Sequence, residues 1–112
     1  MEQTVTEAEG YQLIKLSGRL DTAGVSRGET RFSAVAAQAG GRVVIDISEV
    51  SFLASLGVRM FITTARTLAA KNGRMALFAP TEAVADVIET TAMDDIVSVT
   101  QTLDEAVALV RR

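Results

Sequence analysis

The chain has 112 residues, enough for one domain around one hydrophobic core. It contains neither cysteine nor histidine, which excludes disulfides, thiolate chemistry, the usual zinc sites and Ser-His-Asp or Cys-His catalysis, and no cofactor is expected. A formal net charge of −3 argues against a general nucleic-acid binder, which presents a basic face.

Apolar residues make up 48% of the chain and aromatic ones only 4%, so the core should consist of Val, Leu, Ile, Ala and Met, as in α/β packing. Met1 to Val5 lacks both a basic stretch and an apolar run, so no signal peptide is expected. The most apolar stretches are interrupted by charges well short of membrane-spanning length. A cytoplasmic protein with no membrane segment is the expectation, organised as a single domain over residues 1–112.

Residues 2–9 are weakly strand-like. Tyr11 to Ser17 has the composition of a second strand, and Glu9-Gly10 between them predicts a β-hairpin. Gly18 to Asp21 leaves the strand. A helix follows from about Val25 to Gln38, with Val25, Phe32, Val35 and Ala36 as its apolar stripe, and Ala39-Gly40-Gly41 ends it.

The most informative stretch runs from Arg42 to Gly73. Val43, Val44 and Ile45 form an unbroken β-branched run that suits a strand covered on both faces. Asp46 is expected to end that strand, with Ser48-Glu49 as connection, before Val50, Phe52 and Leu53 return to the core. Asp46 and Ser48 should brace the connection by local side-chain to backbone bonds. Ser55 stands where an N-cap belongs, before a helical pattern of Leu56, Val58, Phe61, Ile62, Ala65, Leu68 and Ala69 that stops at Asn72-Gly73. Gly57 is out of place in the first turn of a helix, and close approach of a partner or a neighbouring element would explain it. Leu56 and Met60 share one side of that helix, either as core or as an apolar patch beside Ser55.

Arg74 to Phe78 reads as a further strand. Thr81 caps a short helix from Glu82 to about Thr90, Asp95 to Val99 includes a short final strand, and Thr102 caps a last helix over Leu103 to Arg111. From Thr81 to Val110 there are seven acidic residues and no Lys or Arg; they form a solvated face or one that steers a basic partner. The order ββαβαβαβα predicts an α/β fold: a mixed sheet, antiparallel in its first hairpin and parallel afterwards, flanked by about four helices.

Ser55 therefore falls at the positive end of a helix, at the carboxyl edge of a buried strand, where free N–H groups and the helix dipole favour an anion. A serine there serves as an ordinary cap or as a place to carry a phosphate.

The pattern V-V-I-D-I-S-x-V-x-F-L-x-S-x-G over Val43 to Gly57 resembles the signature of STAS domains of the anti-sigma factor antagonist type, and G-R-L-D over Gly18 to Asp21 resembles the family's second-strand segment. The resemblance implies a non-enzymatic switch protein of a bacterial partner-switching pathway. Such a protein binds a serine-kinase anti-sigma factor of the histidine-kinase-like ATPase type and so frees a sigma factor. Ser55 would be phosphorylated by that kinase and restored by a PP2C-type phosphatase. The partner-binding residues would be Asp21, Ala54, Ser55, Leu56, Gly57, Arg59 and Met60, in a protein that is a monomer when free. Two positions depart from the family pattern: Ala54 stands where Asp is common, and Leu56 where a second Ser or Thr is common. The same fold also implies an alternative, a STAS adaptor or scaffold module of a signalling or transport assembly in which Ser55 is only a cap.

A phosphorelay receiver has a similar length and pattern, with Asp46 posing as its phosphoacceptor. However, the first strand is not followed by two carboxylates to hold Mg²⁺, and the late strands end in Ala79-Pro80 and Val99-Thr100 without a lysine. Gly40-Gly41 lacks the P-loop pattern.

Overall fold

A computed structural model describes residues 1–112, the side chain of Ala39 aside. The described residues form one mixed sheet of five strands in the order β1-β2-β3-β4-β5. Strand β1 (Glu2–Ala8) and strand β2 (Tyr11–Leu20) form the expected antiparallel hairpin, with Glu2 opposite Ser17 and Ala8 opposite Tyr11. Strands β3 (Arg42–Leu53), β4 (Arg74–Phe78) and β5 (Ser98–Thr100) then add in parallel to β2. A receiver-type sheet has its first two strands exchanged and all strands parallel. The sequential order and the antiparallel β1 rule that architecture out here.

The helices divide unequally between the two faces. Helices α1 (Thr22–Ala36), α2 (Ser55–Ala69) and α3 (Glu82–Thr90) cover one face, burying Phe32, Phe61 and Ile88 against Ile14, Leu16, Ile45 and Leu77. Phe32 and Phe61 meet edge to face at 5.9 Å between α1 and α2. Helix α4 (Leu103–Val110) alone covers the other face, placing Ala106 and Val110 on Val44, Ala76 and Phe78. The Val43-Val44-Ile45 run is thus apolar on both sides because both sides are covered. Among the described residues, no helix is long and apolar enough to cross a membrane.

Strand β3 does not end at Asp46. It continues to Leu53, and the segment expected as a connection is paired with β2. The register shifts twice: Lys15 faces Asp46 but Ser17 faces Glu49, and Gly18 faces Val50 but Arg19 faces Phe52. Each shift inserts one extra residue into β3, as in a β-bulge. The inward side chains therefore fall at Ile45, Ile47, Val50 and Leu53, a spacing that matches neither a regular strand nor a helix. Phe52, expected in the core, is turned outward and remains 40% exposed. The local bracing is as expected, since the Asp46 carboxylate accepts the Ser48 N–H at 2.9 Å.

Three other boundaries move. Strand β2 runs through Gly18 and Arg19 to Leu20, α1 starts at Thr22 rather than Val25, and α2 starts at Ser55 with Ala54 as its N-cap. Thr81 and Thr102 cap α3 and α4 as expected, the latter in a reciprocal capping box with Glu105.

Met60 is fully buried in the larger core, which settles one of the two alternatives for the Leu56–Met60 side of α2. Leu56 stays partly buried at the rim of that core. Truncation of Met60 to Ala leaves a cavity among close-packed neighbours, and urea denaturation of Met60→Ala is expected to show a loss of about 2–5 kcal/mol.

Candidate functional site

The carboxyl ends of β2 and β3 lie side by side, Leu20 opposite Leu53 and Arg19 opposite Phe52. From these ends the chain turns into α1 and α2. The Leu20 carbonyl oxygen accepts the Ala54 N–H at 3.0 Å, which ties the start of α2 to the end of β2. The junction is so close that two positions exclude a side chain. A Cβ on Gly24 would lie 2.4 Å from the Arg19 carbonyl oxygen. A Cβ on Gly57 would lie 2.7 Å from Leu53 Cδ1 and 3.1 Å from the Leu20 carbonyl oxygen. Gly57 is therefore explained by a neighbouring element: the first turn of α2 rests directly on the strand ends.

This packing presents Ser55 at the surface, as the first helical residue of α2 rather than its cap. The capping position belongs to Ala54, which has no side-chain acceptor. The Gly57 and Val58 N–H groups both donate to the Ala54 carbonyl, at 3.0 and 3.1 Å. Those of Ser55 and Leu56 have no protein partner among the described residues. Beside the serine hydroxyl there are thus two uncommitted donors at the positive end of a fifteen-residue helix. Arg59, also exposed, follows Ser55 by four residues, one turn along the same helix face.

Asp21 caps α1, with its Oδ1 accepting the Gly24 N–H at 2.9 Å. Its Oδ2 accepts from Arg19 Nε at 3.3 Å, and the Arg19 guanidinium lies over the exposed Phe52 ring, 4.2 Å from its centroid. Asp21, Arg19 and Phe52 thus form a continuous surface on the two strand ends that carry Ser55. Neither Arg19 nor Phe52 was expected at the site from the sequence, which placed Phe52 in the core. Their pairing depends on a register displaced by the β3 bulges, and no local motif signals it.

Of the residues expected at the site, Asp21, Ala54, Ser55, Leu56 and Arg59 lie at this edge with at least part of their surface accessible. Gly57 is buried and acts by allowing the close approach, and Met60 lies in the core beneath. The seven acidic residues between Thr81 and Val110 are all exposed.

The Gly24 N–H, and then the Arg19 guanidinium, hold the Asp21 carboxyl below the usual carboxylate range. A carboxyl depressed in the folded state stabilises the fold above its unfolded pKa, and that contribution is lost as pH falls through the folded value. Between neutral pH and pH of about 3, the melting temperature of the parent protein should therefore fall more steeply than that of Asp21→Asn, which keeps a neutral cap. At Ala54 the missing acceptor has the opposite consequence. Ala54→Asp supplies an acceptor for the first-turn amides and should stabilise the fold by about 1 kcal/mol at neutral pH, measured by chemical denaturation.

The STAS domain family model matches residues 2–106. An anti-sigma factor antagonist from Mycobacterium paratuberculosis has a similar structure, with a TM-score of 0.88 and 29% identity over 99% of this chain and 94% of that one. An anti-sigma-factor antagonist (STAS) domain protein from Planctomyces limnophilus superposes with a TM-score of 0.83 at 20% identity, covering 96% of each chain. The phosphorylated form of the Bacillus cell fate determinant SpoIIAA superposes with a TM-score of 0.69 at 22% identity, over 96% of this chain and 98% of that one. No curated protein matches the sequence. With a family match spanning the whole sheet, the first three helices and the first half of α4, the chain belongs to the STAS domain family.

Proposed function

We propose that this STAS domain is an anti-sigma factor antagonist of a bacterial partner-switching pathway, and that phosphorylation of Ser55 switches it off. The partner is a serine-kinase anti-sigma factor of the histidine-kinase-like ATPase type, and a PP2C-type phosphatase reverses the modification. The observation that carries this reading is the exposed Ser55 hydroxyl on the first turn of α2, beside two uncommitted backbone donors.

The geometry suits a reversible charge switch. In the unmodified protein the edge offers a neutral hydroxyl flanked by the half-buried Leu56 and the exposed Phe52. Such a surface, apolar in part and framed by Arg19, Asp21 and Arg59, fits a protein partner. Transfer of the γ-phosphoryl group of ATP to Ser55 Oγ releases ADP and the hydroxyl proton, and leaves about −1.5 to −2 charges at this point. Within the domain that charge is accommodated by the helix dipole, by the Ser55 and Leu56 amides and by Arg59 one turn on. Because Ala54 carries no carboxylate, nothing beside Ser55 competes with the phosphate for those amides. At an interface fitted to the neutral form, the same charge is desolvated without a partner, and binding is lost without any change of fold. SpoIIAA, which shares this fold, has a phosphorylated form.

With the purified anti-sigma partner, Ser55→Ala should bind like the parent protein, and Ser55→Asp should bind at least about tenfold more weakly by calorimetry. Incubation with that partner and ATP should place a single phosphate on Ser55, detectable by mass spectrometry and absent from Ser55→Ala. Equal binding by the two variants, together with no phosphate on the parent protein, would sink the switch and favour a constitutive adaptor.

A further inference from the structure

A cavity lies at the opposite edge of the sheet from Ser55. It has a volume of about 480 Å³ and opens at the amino ends of β3, β4 and β5, where Arg42, Arg74 and Ser98 begin the strands. That volume is within the range of small-molecule sites. Its charged side chains are all arginines (Arg42, Arg74 and Arg112), and no Asp or Glu lines it. None of the three arginines is ion-paired with an Asp or Glu among the described residues. The rest of the lining includes apolar surface from Ala69, Met75 and Ile96, the last of these 43% exposed.

Two helix ends face this edge, and their carbonyl groups offer an ordinary reason for nearby arginines. That reason accounts for only one of the three. At the end of α2, the Leu68 carbonyl receives the Lys71 and Gly73 amides at 3.0 and 2.7 Å, and the Ala69 carbonyl receives the Asn72 amide at 3.1 Å. At the end of α4, the Val110 and Arg112 carbonyls both accept from Arg42 Nη1, the latter at 3.1 Å. Arg42 is thus held in place by the backbone. Arg74 and Arg112 make no side-chain hydrogen bond among the described residues, and their guanidinium groups remain free beside an apolar wall.

We propose that this cavity binds a small anionic amphiphile, with a phosphate or carboxylate head on Arg74 and Arg112 beside the anchored Arg42, and an apolar body against Met75 and Ile96. Guanidinium groups match the planar, multi-acceptor geometry of such heads. The site lies at the far end of α2 from Ser55, so its occupation and the partner-binding edge do not overlap, and the proposal stands whether or not Ser55 is phosphorylated.

The test is a titration of the full chain, followed by amide NMR, with hexyl phosphate, inorganic phosphate and hexanol as separate probes. Hexyl phosphate should give saturable shifts at Ala69, Gly73 and Ser98, inorganic phosphate should bind the same amides more weakly, and hexanol should not saturate. The exposed pair Arg74→Ala and Arg112→Ala, combined in one variant, should weaken hexyl phosphate by about tenfold or more while leaving the melting temperature near that of the parent. The proposal is overturned if no probe saturates in the millimolar range, if the shifts fall on other residues, or if the double variant binds as tightly as the parent. Equal affinity for inorganic and hexyl phosphate would overturn the apolar half of the site.

Discussion

Leu20 is fully buried at the end of β2, and its carbonyl oxygen receives the amide of Ala54, the residue from which α2 begins. That one hydrogen bond closes a joint at which two strands end and two helices start. Gly24 and Gly57 let the helices approach to within contact of the strand backbone, and Asp21 caps α1 on the same side. A larger residue at either glycine would push a helix off the sheet, and the positions of Ser55, Arg19 and Phe52 all depend on that spacing. The candidate edge is therefore a consequence of the tight packing underneath it.

The joint also accounts for the kind of switch proposed for Ser55. As the proposed phosphoacceptor, Ser55 is exposed at a helix start with unclaimed amides beside it, and would require no rearrangement to accept charge. In the proposed switch, regulation resides in the surface presented to a partner. A domain of this size has only a few kcal/mol of net stability, so a switch that leaves the core untouched avoids destabilising the fold each time it operates. The absence of a capping side chain at Ala54 is consistent with this: it weakens the start of α2 slightly and keeps its donors available.

The unequal covering of the sheet separates the surfaces. Three helices bury one face and α4 buries part of the other, so the chemistry falls to the two edges where strands meet helix ends. The carboxyl edge presents helix starts and a serine. The amino edge presents helix ends, some of whose carbonyls are answered by backbone amides and by Arg42, and a cluster of arginines. Parallel strands with helical crossovers force this polarity, because every crossover helix runs back from the carboxyl edge to the amino edge.

Much of this was legible locally. Residue periodicity placed the helices, Thr81 and Thr102 announced their caps, and the Val43-Val44-Ile45 run declared a strand buried on both faces. These signals depend on a residue and its near neighbours along the chain, which is why composition and spacing suffice. The place of Ser55 at the start of α2 followed from the same kind of reasoning, although the cap itself proved to be Ala54. What only the tertiary structure decided was everything set by register. Two extra residues in β3 broke its alternation, so the strand appeared to stop at Asp46 and Phe52 appeared to point inward. Met60 went to the core and Phe52 to the surface because bulges and helix rotation are settled by which partners pack, and no single residue carries that information. The meeting of Arg42, Arg74 and Arg112 around one cavity has the same origin, since residues up to 70 positions apart become neighbours only when parallel strands align their ends.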